Sequence, residues 1–127
     1  MEEKLKVLIV DDSMLLRKKL RSDLEKQNCE VFEAKNGREA VRLFLQTRMD
    51  GIFMDLVMPE VGGMEALKAM REIDKTAYII MLSSAGTAGK LVETLKAGAA
   101  DFIQKPYTPE QIGYAVANMR KRASGHV

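Results

Sequence analysis

Short apolar runs alternate five times with helix-length amphipathic segments along this 127-residue chain, and that alternation restricts the fold more than any other feature. Neighbouring parallel strands need crossovers of a dozen or more residues, which an amphipathic helix supplies. Strands are predicted at about 5–10, 30–34, 51–54, 78–82 and 101–104. The first and fourth are continuously apolar, as central strands covered on both faces must be. Ser13 caps a first helix through about Gln27, with Leu15, Leu16, Leu20 and Leu24 at helical spacing. Asn36-Gly37 opens a second helix, with Ala40, Val41, Phe44 and Leu45 as its inward stripe. Gly62-Gly63 precedes a third that buries Leu67, Met70 and Ile73. A fourth follows Gly86-Thr87-Ala88-Gly89 and stops at Ala97-Gly98, and Thr108-Pro109-Glu110 opens a fifth. Right-handed crossovers turn this order into an α/β three-layer sandwich around a doubly wound five-stranded parallel sheet.

The strand endings carry the chemistry. The first run ends in Asp11-Asp12, the third in Asp55, the fourth in Ser83-Ser84 and the fifth in Lys105-Pro106. In a parallel sheet the carboxyl ends of the strands share one edge, where ligands bind. If the first and third strands are neighbours, their carboxylates stand about 5 Å apart. Two like charges at that distance repel by roughly 3 kcal/mol at an effective dielectric near 20. A fold that builds such a cluster must protonate an acid or bind a cation. Magnesium suits hard oxygen ligands and keeps waters that a phosphate can replace. Helix capping or turn formation explains any one of these aspartates, but not all three at matched strand ends with Ser83 and Lys105 beside them.

Composition limits the alternatives. Hydrophobic residues at 46% and charged residues at 30% make a soluble single domain, and a net charge of +2 offers no field for nucleic acid. The basic run Arg120-Lys121-Arg122 reads as a solvated helix end. One cysteine, Cys29, excludes an internal disulfide and fits a reducing cytosol. No apolar run approaches the roughly 20 residues of a membrane span, and the N-terminus lacks a signal peptide's apolar stretch. Cytoplasmic location is therefore expected, with no direct nucleic acid and no membrane insertion.

Val-Asp-Asp-Ser at 10–13, Met-Asp-Leu-Val-Met-Pro at 54–59, Ser-Ser-Ala at 83–85 and Lys-Pro-Tyr at 105–107 resemble the receiver domain of bacterial two-component response regulators. The resemblance covers about Lys6 to about Met119, a single domain over 1–127 with a basic tail at about 120–127, and is strongest to stand-alone, CheY-like members. It implies a flavodoxin-like strand order of 2-1-3-4-5. Asp55 would be the phosphoacceptor, taking a phosphoryl group from a histidine kinase. Asp12, Asp55 and the Val57 backbone carbonyl would bind Mg2+, with Asp11 acting through water. Lys105 and Ser83 would hold phosphoryl oxygens, Pro59 would shape the following loop, and the Lys105-Pro106 bond would be cis. Ser83 and Phe102 would form the switch that changes the surface of helix four, strand five and helix five, including Lys90, Val92 and Tyr107. Many stand-alone members carry tyrosine where this chain has Phe102. The protein would be a monomer rather than a true enzyme, catalysing only its own phosphorylation and dephosphorylation. Chemotaxis, with the flagellar motor switch as target, is the implied pathway.

The residues also bear on turnover. The sole histidine, His126, lies in the tail and is read as solvated. Phosphoryl transfer needs charge neutralisation and in-line positioning more than acid–base groups. Val57 and Ala85 offer no polar group to orient an attacking water, so slow autodephosphorylation is expected, assisted by a separate phosphatase. Only Gly63 of Gly62-Gly63 needs to be glycine on the family pattern. The small residues from Ser84 to Gly89 form either a mobile hinge or a plain loop. Four other readings compete with this one. A magnesium-dependent aspartyl-phosphate hydrolase needs a second acid two residues after the nucleophile, which Asp55-Leu56-Val57 lacks, and no nucleotide-binding glycine motif follows strand one. An unphosphorylated protein-binding scaffold is argued against by the complete acid, serine and lysine set. A receiver fragment of a longer regulator, with a DNA-binding or enzymatic output domain, stays open.

Overall fold

The computed structural model describes residues 3–58 and 60–125. Pro59 and His126 lie outside them, and so do the roles given to them above. The elements are β1 (Leu5–Val10), α1 (Met14–Glu25), β2 (Cys29–Ala34), α2 (Gly37–Gln46), β3 (Gly51–Asp55), α3 (Gly63–Ile73), β4 (Ile79–Ser83), α4 (Leu91–Lys96), β5 (Asp101–Gln104) and α5 (Pro109–Ala123). A 3-10 helix over Ala85–Lys90 leads directly into α4. The sheet order is β2-β1-β3-β4-β5 with every pairing parallel, as expected.

Alternate strand residues feed two apolar layers. Leu8, Val10, Ile52, Met54 and Met81 pack with Ala40 of α2 and Leu67 and Met70 of α3. Val7, Ile9, Phe53 and Ile80 pack with Leu20 and Leu24 of α1 and Ile112 and Met119 of α5. Each such fully buried side chain contributes roughly 1.5–3 kcal/mol of transfer free energy. The caps agree with the sequence: Ser13, Asn36 and Thr108 accept from the amides of Leu16, Glu39 and Gln111.

The buried stripes are narrower than the helical spacing predicts. Leu20 and Leu24 are buried, whereas Leu15 is 78% exposed and Leu16 36%. Leu45 on α2 and Ile73 at the end of α3 are likewise exposed. A helix resting on a flat sheet covers only the positions directly over it, so the flanks of a stripe stay in solvent. Helix α1 also ends at Glu25, short of Gln27, and the chain turns through Asn28 at φ 63°. The basic run is the last turn of α5, a helix end as expected, with Lys121 exposed but Arg120 and Arg122 half-buried. Arg120 donates to the carbonyls of Glu3 and Gln27; Arg122 donates to that of Thr76 and lies 5.3 Å from the Tyr78 ring centroid. Among the described residues no helix is long and apolar enough to cross a membrane.

Candidate functional site

The order β2-β1-β3 makes β1 and β3 direct neighbours, with Val10 opposite Met54, so their next residues emerge side by side. The Asp11 amide still donates to the Ala34 carbonyl at 3.1 Å, which holds the first aspartate to the strand edge. Asp11, Asp12 and Asp55 each offer a carboxylate oxygen, and these oxygens lie within 4.8 Å of one another. Asp11 and Asp55 are buried and Asp12 is exposed, so the cluster opens to solvent through Asp12.

Lys105 reaches the cluster from the far side. Its amide donates to the Ser83 carbonyl at 2.7 Å, which fixes the end of β5 beside the end of β4. Its Nζ donates to Asp11 Oδ2 at 2.9 Å and lies 3.4 Å from Asp55 Oδ1. The Lys105–Pro106 bond is cis, as expected. Burial pushes the Asp55 carboxyl above its ordinary value, with Lys105 opposing and Asp11 and Asp12 adding to the rise. Burial lowers the Lys105 pKa, but the Asp11 and Asp55 carboxylates outweigh it and the net shift is upward. The lysine therefore stays an ammonium, and even with that charge 3.4 Å away Asp55 remains costly to ionise.

Ser83 closes the set. It is fully buried at the end of β4, and its hydroxyl has no hydrogen-bond partner among the described residues. A buried hydroxyl left unsatisfied costs about 1–3 kcal/mol, so Ser83 Oγ is a donor free to serve a group entering this edge. Phe102 is half-buried and packs on the α2–α3 side of the sheet. Opposite residues are Met81 with Phe102 and Ser83 with Gln104, so Ser83 and Phe102 share a face two positions apart. Val57, two residues after Asp55, has its side chain in solvent between the buried Leu56 and Met58.

Glycine requirements at this edge follow from contact. A Cβ on Gly63 would lie 2.2 Å from the Asp55 carbonyl oxygen and 2.8 Å from Leu56 Cα; on Gly62 its nearest neighbour would be 3.7 Å away. The donor set suits a hard divalent cation: carboxylate oxygens, one of them open to solvent, with no thiol or imidazole among them. Sequence reasoning missed Arg17 and Glu33, which pair at 3.0 Å behind the Asp11–Asp12 loop. A signal existed, because Glu33 is a charged residue inside a strand and Arg17 lies one helical turn before Arg21.

The model of the response regulator receiver domain matches residues 7–117. The chain is 41% identical over 117 residues to the chemotaxis protein CheY of Thermotoga maritima, covering 91% of this chain and 98% of that one. It is 39% identical over 119 residues to the transcriptional regulatory protein ResD of Bacillus subtilis, covering 94% of this chain and only 49% of ResD. Among solved structures, a chain of the CheX–CheY–BeF3–Mg2+ complex from Borrelia burgdorferi superposes with a TM-score of 0.86 at 30% identity, over 91% of this chain and 89% of that one.

Proposed function

Because this chain belongs to the response regulator receiver family, we propose that Asp55 is its phosphoacceptor and that the three-carboxylate cluster is its Mg2+ site. Receiver domains are signalling modules of two-component systems and not classical enzymes. One observation carries the reading: Asp55, an acid disfavoured in its ionised form, lies 3.4 Å from Lys105 inside a trio of carboxylates.

In the step, an Asp55 oxygen attacks the phosphorus of a donor phosphohistidine on a histidine kinase. The new O–P bond forms as the N–P bond breaks, and the imidazole leaves with the electron pair. Asp12, Asp55 and the Val57 carbonyl would hold the cation, with Asp11 reaching it through water. When bound, the cation neutralises charge on the transferring group. Lys105 presents an ammonium already within reach of an oxygen on Asp55, and the Ser83 hydroxyl gains its missing partner there. Val57 has an exposed apolar side chain that cannot orient a water, so the aspartyl phosphate is long-lived and a separate phosphatase removes it.

The signal leaves through α4, β5 and α5. Val92, Leu95 and Tyr114 are exposed there, and Phe102 sits on the same sheet face as Ser83. A chemotactic output on the flagellar motor switch is favoured by the near-complete coverage of the Thermotoga CheY relative. A receiver of a longer transcriptional regulator is the second reading, favoured by the match to half of ResD.

The test is incubation with Mg2+ and a small phosphodonor, followed by peptide mapping. The adduct is expected on Asp55 and is absent in Asp55→Asn; an adduct elsewhere, or none with Mg2+ present, ends the reading.

A further inference from the structure

Every polar group of Asp11 is tied down. Oδ1 accepts from the Ser13 amide at 2.9 Å, Oδ2 from Lys105 at 2.9 Å, and the backbone carbonyl from Arg17 Nη1 at 2.7 Å. The arginine comes from α1 and is itself clamped. Its Nε donates to Glu33 Oε1 at 3.0 Å, and Arg21 holds the other Glu33 oxygen. The Arg17 side chain is only 15% exposed, so this is a built contact rather than a passing surface pair. A planar guanidinium fork holds the carbonyl and the carboxylate at once in a fixed relative geometry, which the freely rotating donors of an ammonium do not impose.

The Asp11 carbonyl and the Asp12 amide belong to one rigid peptide plane. Fixing the first therefore fixes the direction in which residue 12 leaves the strand. Asp12 is exposed and has no ion pair among the described residues, so its backbone decides where its carboxylate stands. Glu33 also neutralises Arg17, which removes a nearby uncompensated charge that would repel a divalent cation.

We propose that Arg17, clamped by Glu33 and Arg21, is a positioning residue for cation capture, holding the peptide plane that aims Asp12 into the cluster with Asp11 and Asp55. This rests on reading that cluster as the Mg2+ site.

The test titrates the full chain with Mg2+ and follows the amide signals of Asp12 and Gly63, with thermal midpoints recorded in the absence of metal. Arg17→Ala is expected to weaken Mg2+ binding about tenfold or more, the usual effect of removing a group that orients a ligand. Glu33→Gln, which keeps an acceptor oxygen, is expected to weaken it less. Arg122→Ala is the comparator, since that arginine also ties a helix to a carbonyl but at the far end of the fold. It should lower the midpoint and leave Mg2+ affinity within twofold. Should Arg17→Ala fail to fold, Arg17→Lys takes its place and is expected to show the same loss of affinity. Unchanged affinity in the Arg17 variants, or an equal loss in Arg122→Ala, overturns the proposal alone. No Mg2+ response in the unsubstituted chain overturns the cation reading, and this proposal with it.

Discussion

Gly63 shows how much a single residue can decide at this edge. Its missing side chain lets the backbone pass against the Asp55 carbonyl and Leu56, where a Cβ would approach to 2.2 Å. Gly63→Ala is therefore expected to destabilise by about 1–3 kcal/mol, the usual range for overpacking against backbone that cannot yield. Gly62→Ala meets nothing closer than 3.7 Å at an ordinary φ of −75° and should stay within about 0.5 kcal/mol of the parent. Urea midpoints at constant m would measure both, and equal effects of the two changes would refute the contact argument. The same edge separates Ser83 from the adjacent Ser84. Ser83 is buried with an unpaired hydroxyl, while Ser84 is exposed and its amide donates to Thr87 Oγ1 at 3.1 Å.

At the scale of elements, the segment after β4 is where site and surface meet. It forms a 3-10 helix over Ala85–Lys90 that passes straight into the short helix α4, so only Ser84 lies without helix or strand between the end of β4 and the outer face. Its lock is slight: Thr87 donates from its hydroxyl to the Ser84 carbonyl at 3.1 Å and accepts from the Ser84 amide. A Cβ would meet nothing within 4 Å at Gly89 and only Ser84 Oγ at 3.9 Å at Gly86, and both glycines add conformational freedom. With Ser84, Gly86, Gly89 and Lys90 exposed, the segment belongs to the low-stability part of the fold. Microsecond-to-millisecond exchange is expected for residues 83–90 in relaxation dispersion, altered on phosphorylation. Flat profiles there in both states would remove the hinge role. By contrast α5 is pinned at both ends, by the Thr108–Gln111 capping box and by Arg120 and Arg122.

For the whole molecule, the acidic cluster is a built-in instability that a bound cation would relieve. Asp55 has its folded-state pKa raised, so the folded form holds that proton more tightly than the unfolded chain does. The sign is therefore a loss of metal-free stability as pH rises from the ordinary carboxylate range through the folded pKa. Asp55→Asn should raise the metal-free thermal midpoint at pH 7, and the gain should vanish as pH falls below about 4. Magnesium at about a hundred times its Kd should add about 2.7 kcal/mol to the unsubstituted protein, reversed by a chelator and absent in Asp12→Ala. A metal-free midpoint in Asp55→Asn equal to the parent at every pH would show that the cluster carries no strain.

The order of elements was legible in the residues because strands and helices have different hydrophobic periods, two against 3.6. The caps at Ser13, Asn36 and Thr108 were legible because they act within three residues of themselves. So was the candidate site as a set, since each member ends a strand and strand ends in a parallel sheet share an edge. Which strands are neighbours was not written locally. The adjacency of β1 and β3, which draws the three carboxylates within 4.8 Å, is a pairing between segments about forty residues apart. Burial at the margins was equally out of reach: Leu15 and Leu20 look alike in the sequence, and only the sheet beneath α1 separates them. The clamp from Glu33 through Arg17 to the Asp11 carbonyl likewise needed α1 laid across β2. Short-range chemistry thus chose the elements and their ends, while long-range packing chose which of their polar groups met.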